Sequence, residues 1–316
     1  MCIVLCEQRV GKGLPDSFGN EVFMTGRIIK GIAGFYYVKN AGGDVYECKA
    51  KGIFRKDGMT PLVGDIVEID IIDEEKKTGN LTDIAKRKNA LVRPACANID
   101  QTLIVFAAAE PEPNLNLLDR FLIMMKKQGI HTIICFNKTD IADDGKTELL
   151  IKNYEACGAE VLTASVLKEE GIGPILERLK GKTTILAGPS GVGKSSMMNL
   201  IVPDANMETG SLSEKIKRGR QTTRHTELLE ISEGTYLCDS PGFGSIYITD
   251  IDYRDLKHYF NEFEEYENGC RFLGCNHINE PGCGVKAALD AGKISRSRYD
   301  NYCLLFNELK AADKRH

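Results

Sequence analysis

The chain has 316 residues, enough for two or three domains, and its 42% apolar and 27% charged content is that of a globular protein. No run of eighteen apolar residues occurs to span a membrane, and the first twenty residues lack the apolar stretch and cleavage site of a secretory signal. With 41 Lys and Arg against 45 Asp and Glu, the net charge of −4 excludes nucleic-acid binding through bulk charge. Contact with RNA would need local patches, such as Lys86-Arg87-Lys88 or residues 215–220, which read equally well as solvated loops. Eleven cysteines without a signal point to a reducing compartment, hence a cytoplasmic protein with no membrane partner.

Residues 1–23 read as a flexible extension, with Met24 the more natural start. From there, Arg27-Ile28-Ile29, residues 34–38, 45–48 and 65–69 are short strands separated by Gly, Asn and Asp. That rhythm predicts a small antiparallel barrel over residues 24–92. From residue 93 to 248 strands alternate with helices. Residues 103–106, 132–136, 160–162, 184–187 and 235–238 are apolar runs of strand length, and residues 115–128 repeat apolar positions at helical spacing. The pattern is that of an α/β domain with a parallel sheet covered on both faces. Residues 249–316 turn polar and helical.

The strand 184–187 runs into Gly188-Pro189-Ser190-Gly191-Val192-Gly193-Lys194-Ser195, which fits G-x-x-x-x-G-K-S at every fixed position, and Ser196 follows. Such a loop turns successive N–H groups onto phosphates, with Lys194 on the β- and γ-phosphates and the Ser195 hydroxyl on Mg²⁺. Downstream, Asp239-Ser240-Pro241-Gly242 ends an apolar strand, placing Asp239 to hold the Mg²⁺ and the Gly242 N–H to sense the γ-phosphate. Between them Thr223, in preference to Thr222, is the candidate for contacting both Mg²⁺ and the γ-phosphate.

Asn137-Lys138-Thr139-Asp140 follows the strand 132–136. A carboxylate at 140 accepts from guanine N1–H and its exocyclic amine, donors that adenine does not pair there. Asn137 would support the base edge and the Lys138 stem cover the ring. In Thr163-Ala164-Ser165 the Ala164 N–H is a candidate second guanine contact. These base-reading residues precede the phosphate loop, whereas the usual order is the reverse. A permuted chain can build the same site, because strand ends converge in space and not in sequence. The permutation also ties the segment after Asp239 directly to the C-terminal region.

Cys270, Cys275, His277 and Cys283 form C-x₄-C-x-H-x₅-C, a complete tetrahedral Zn²⁺ set with no open position and therefore a structural site. With the permuted order, the barrel and this cluster together, the chain resembles the RsgA family, ribosome small subunit-dependent GTPase A. Leu62-Val63-Gly64-Asp65, the junction at residues 87–94 and Ala97-Asn98-Ile99-Asp100-Gln101 extend the resemblance to nearly everything from Gly26 onward. The resemblance implies an OB-fold barrel, a circularly permuted GTPase domain and a helical zinc-binding domain. It also implies a monomer that binds GTP and GDP and the small (30S) ribosomal subunit with its 16S rRNA, acting in late maturation with hydrolysis stimulated by the subunit.

Three positions depart from the expected pattern. Gln221 replaces a His common in the family, with His225 nearby. Phe243 stands where Ras-like enzymes orient water with Gln, and Gly191 stands where potassium-using relatives carry Asn. The competing reading is an RNA-binding module whose nucleotide site only regulates docking, with little turnover. An ATPase is disfavoured by Asp140.

Overall fold

The computed structural model describes residues 23–51, 54, 59–91, 94–202, 226–239, 246, 248 and 250–313. Five strands open the chain: β1 (Phe23–Ile32), β2 (Phe35–Asn40), β3 (Val45–Ala50), β4 (Ile66–Asp73) and β5 (Thr78–Ile84). They close into a barrel, β1 pairing with both β2 and β4 while β3 and β4 both pair with β5. Closure removes the free edges that an open sheet of this size would expose. The β3–β5 pairing is parallel, so the barrel is not wholly antiparallel as its turn rhythm suggests. Strand β5 is also absent from the sequence reading. Its Thr78-Gly79-Asn80-Leu81-Thr82-Asp83-Ile84 is largely polar, yet Gly79, Leu81 and Ile84 face inward.

The barrel joins the next domain through a small ladder of β6 (Ala90–Leu91) with β7 (Cys96–Ala97). Asp65, fully buried, accepts a forked pair from Arg87 at 2.7 and 2.8 Å, and Arg87 Nη2 also donates to the Thr60 carbonyl at 2.7 Å. Lys88 pairs with Asp100 at 2.8 Å. The run Lys86-Arg87-Lys88 is therefore not an open basic patch, because two of its three charges are neutralised at the domain junction. The second run, residues 215–220, lies outside the described residues.

Strands β8 (Gln101–Ala107), β9 (His131–Asn137), β10 (Glu160–Thr163), β11 (Thr183–Ala187) and β13 (Thr235–Asp239) form the parallel sheet, in the order β10-β9-β8-β11-β13. An antiparallel strand, β12 (Glu227–Ser232), flanks β13 and meets the barrel at Lys30 and Glu227. All seven residues of β8 are buried. Alternation along it sends Ile104 and Phe106 to the face covered by α1 (Leu115–Lys127) and α2 (Lys146–Tyr154). Leu103 and Val105 go to the face covered by α3 (Ile172–Leu179) and α4 (Lys194–Ile201). Helix α1 starts where Asn114 Oδ1 accepts from the Leu117 N–H, and ends with Lys126 and Lys127 against the negative end of its dipole.

The C-terminal region contains α5 (Glu264–Glu267), α6 (Gly284–Asp290) and α7 (Arg296–Asp313) around an aromatic core in which Tyr302 meets Phe260 and Phe263 edge-on. Ile123 of α1 belongs to this core, whereas its neighbours Phe121 and Leu122 belong to the core under the sheet. The docking is reinforced by a buried charge cluster. Arg298 donates to Asp119 at 2.5 Å and to both oxygens of Glu262 at 2.7 and 3.0 Å. Asp119 also accepts from Asn301 and Tyr154. Every charge there has a hydrogen-bonded partner, as burial demands.

Candidate guanine-nucleotide site and metal centre

The C-terminal ends of β8, β9, β11 and β13 lie side by side, which is where an open α/β sheet binds ligands. Strand β11 delivers the chain into the phosphate loop, and α4 begins at Lys194 with its first N–H groups facing the loop. Two glycines are needed for shape. At Gly188 (φ +139°) a Cβ would lie 2.1 Å from the Val105 carbonyl oxygen, and at Gly193 (φ +97°) it would lie 2.3 Å from Asn137 Nδ2. Lys194 Nζ folds over the loop, donating to the carbonyls of Gly188 at 2.9 Å and Pro189 at 2.6 Å.

Asn137, 1% exposed, closes the other side of the site. Its Nδ2 donates to the Val192 carbonyl at 2.9 Å, and its Oδ1 accepts from the Val166 N–H at 3.1 Å. The amide therefore braces the phosphate loop against the loop after β10. Ser165 Oγ donates to Asp140 Oδ1 at 2.6 Å and aims that carboxylate. Asn137, Lys138, Asp140, Val166, Leu167 and Ser196 line a cleft of about 640 Å³.

The amide expected at the base has a partner within the sheet. The Ala164 N–H is donated to the Phe136 carbonyl at 2.9 Å, and Ala164 itself is buried. Ladder pairing thus occupies the amide predicted to meet the base. Thr163 likewise lies in the ladder beside Phe136. Val166 and Leu167, just beyond, line the cleft. Asp239 ends β13 opposite Leu186, so its backbone is one strand from the phosphate loop. Thr222, Thr223, Gln221, His225, Gly242 and Phe243 lie outside the described residues.

The second cluster is built by turns around α6. Cys270, Cys275, His277 and Cys283 bring one ligand atom each to within 4.8 Å of all the others. His277 Nδ1 lies 3.5 Å from Cys270 Sγ and 3.4 Å from Cys283 Sγ, and the two sulfurs are 3.9 Å apart. A tetrahedron of thiolates about Zn²⁺ has edges of about 3.8 Å, so the set fits one zinc ion. Backbone N–H groups of His277, Gly284 and Lys286 donate to Cys275, Cys270 and Cys283, respectively. His277 Nε2 meets Glu267 Oε1 at 3.1 Å, which leaves Nδ1 free to face the cluster. Burial pushes the Cys275 thiol up to about 12 and the His277 imidazole down. A divalent cation held by these four residues would supply the positive charge that makes thiolates favourable there.

Residues 84–249 match the family model for the RsgA GTPase, and residues 25–79 match that for the RsgA N-terminal domain. The chain belongs to the RsgA GTPase family. It is 54% identical over 301 residues to the small ribosomal subunit biogenesis GTPase RsgA of Agathobacter rectalis, covering 92% of this chain and all of the relative. The protein of the same name from Alkaliphilus metalliredigens is 47% identical over 285 residues, covering 90% of this chain and 97% of that one. The crystal structure of YjeQ from Thermotoga maritima superposes with a TM-score of 0.77 at 34% identity, over 91% of this chain and 99% of that one. YloQ, described as a circularly permuted GTPase, gives 0.74 at 36% identity, over 94% and 99%.

The RsgA membership makes the chain a GTP hydrolase with a circularly permuted GTPase domain behind a β-barrel. Within this family frame, the sequence reading overlooked Ser165 as the residue that aims Asp140, and Glu267 as the partner of His277. Ser165 stands in the quoted Thr-Ala-Ser triplet, so the signal was one residue away. Glu267 precedes the first cysteine by three residues in an acidic run that reads as solvated surface.

Proposed function

We propose that the chain hydrolyses GTP on the small ribosomal subunit and acts there as a late maturation factor. The observation that carries the nucleotide half of this reading is the Asn137 brace, which joins the phosphate loop to the base-reading loops although the base-reading residues come first in the chain. Relatives over the full length are named small ribosomal subunit biogenesis GTPases; contact with 16S rRNA, a monomeric state and a cytoplasmic location are part of the same proposal. Within the site, Asp140 reads guanine, Val166 and Leu167 flank the base, and residues 188–196 with Lys194 hold the phosphates. Ser195, Thr223 and Asp239 hold Mg²⁺, which when bound neutralises the charge that develops between the β- and γ-phosphates. The Gly242 N–H senses the γ-phosphate. Cys270, Cys275, His277 and Cys283 hold one zinc ion as a structural staple. The domain limits that go with this reading are 24–92, 93–248 and 249–316.

Phe243 cannot hydrogen-bond to water, so intrinsic hydrolysis is slow and the subunit completes the site. Base recognition is tested by Asp140→Asn. Xanthine presents a carbonyl where guanine presents its amine, so the variant should lose GDP and gain XDP in calorimetry. An unchanged guanine preference would remove Asp140 from the site. Cosedimentation with purified small subunits tests the partner: retention should be stronger with a non-hydrolysable GTP analogue than with GDP.

A further inference from the structure

Ile246 lies seven residues beyond Asp239, on the chain that leaves the nucleotide site for the C-terminal region. It is buried, and its carbonyl accepts from Arg120 Nη1 at 3.3 Å. The same guanidinium donates to Glu308 on α7, through Nη1 at 3.0 Å and through Nη2 to the second carboxylate oxygen. Its Nε donates to Asn116 on α1 at 2.9 Å. One planar group thus holds three elements: α1, the segment leaving the nucleotide site, and α7. A guanidinium keeps its donors in a rigid fork, so a shift of the Ile246 carbonyl has to break its bond or move the Glu308 end.

Docking of the C-terminal region does not rest on this group alone. Asp119, the preceding residue, takes Arg298 and Asn301 of α7; Ile123 enters the aromatic core; and Lys126 reaches Asn261. Arg120 is therefore one fastener among several. Unlike them, it also touches the chain coming from the nucleotide site, at Ile246, four residues before Lys127 Nζ meets the same chain at the Asp250 carbonyl (3.0 Å). We propose that Arg120 is a positioning residue that passes the state of that site to α7 through Glu308. The inference rests on the GTP reading above and adds a route by which nucleotide reaches the C-terminal region.

Amide hydrogen exchange of the full chain, with GDP or a non-hydrolysable GTP analogue, tests it. In the unaltered protein, exchange in the second half of α7 should differ between the two nucleotides. That difference should vanish in Arg120→Ala and Glu308→Ala, and should persist in Lys126→Ala, which cuts a neighbouring contact of the same helix. GDP affinity should stay within about twofold in all three variants, well under the fivefold or more that coupling between sites typically carries. Three results would each overturn the proposal: no nucleotide-dependent difference in the unaltered protein, survival of the difference in Arg120→Ala, or its equal loss in Lys126→Ala. Failure of the unaltered protein to bind GDP in calorimetry would instead refute the GTP reading itself.

Discussion

Replacing Asn137 by alanine tests whether the phosphate loop and the base-reading loops form one unit. The side chain is 1% exposed and makes two hydrogen bonds, to the Val192 carbonyl and from the Val166 N–H. The truncation leaves both backbone groups without that partner, at about 1–3 kcal/mol each, so about 2–6 kcal/mol in total. Because the two groups sit on opposite walls of the nucleotide cleft, the cost falls mainly on the bound state, where both loops must be held in register. The lower limit alone predicts roughly a thirtyfold weaker GDP complex. Titration calorimetry with GDP and Mg²⁺ measures it, and thermal denaturation of the nucleotide-free protein measures how much of the cost appears in the fold. A dissociation constant within about threefold of the parent, together with an unchanged melting temperature, would be a change under about 0.7 kcal/mol and would refute the brace.

Arg298→Ala leaves Asp119 and Glu262 buried without a counter-charge and should cost about 3–5 kcal/mol in urea denaturation. A cost below about 1 kcal/mol, the scale of exposed pairs, would mean that the cluster is hydrated. Glu267→Ala removes the carboxylate that orients His277 and should weaken zinc binding about 10–100-fold in competition with a chromophoric chelator, with GDP affinity unaffected. Asp100 accepts from the Thr183 N–H and from Lys88. Burial opposes its ionisation, but these partners hold its pKa below the ordinary carboxylate range. The folded value lies under the unfolded one, so the stability contributed is full above the unfolded pKa and is lost as pH falls through the folded pKa. Asp100→Asn should therefore flatten the acid limb of the stability curve below about pH 4; an unaltered limb would contradict the assignment.

Much of this architecture is legible because fully buried parallel strands and the phosphate loop are local patterns. Strand β8 carries an apolar run at residues 103–107, and the loop at residues 188–195 has glycine at 188 and 193, where a Cβ would clash. Strand β12 was not legible: Glu-Leu-Leu-Glu-Ile-Ser has no clear period of two, and its extended form comes from pairing with β13. That the Ala164 N–H is donated to the Phe136 carbonyl, while Val166 and Leu167 line the cleft, depends on which amide the β9–β10 ladder uses. That is decided by register between strands, and single-chain spacing does not contain it. Long-range charge pairing was equally hidden. Arg87 reads as part of a basic run until Asp65, 22 residues earlier, is seen to hold it, and Arg298 meets Asp119 across 179 positions.

The most direct test of the central claim is multiple-turnover phosphate release from GTP, measured with and without purified small ribosomal subunits. A slow intrinsic rate that rises strongly on adding subunits, and that collapses in Asp140→Asn, is the predicted result. A fast rate indifferent to subunits, or one supported equally by ATP, would contradict it.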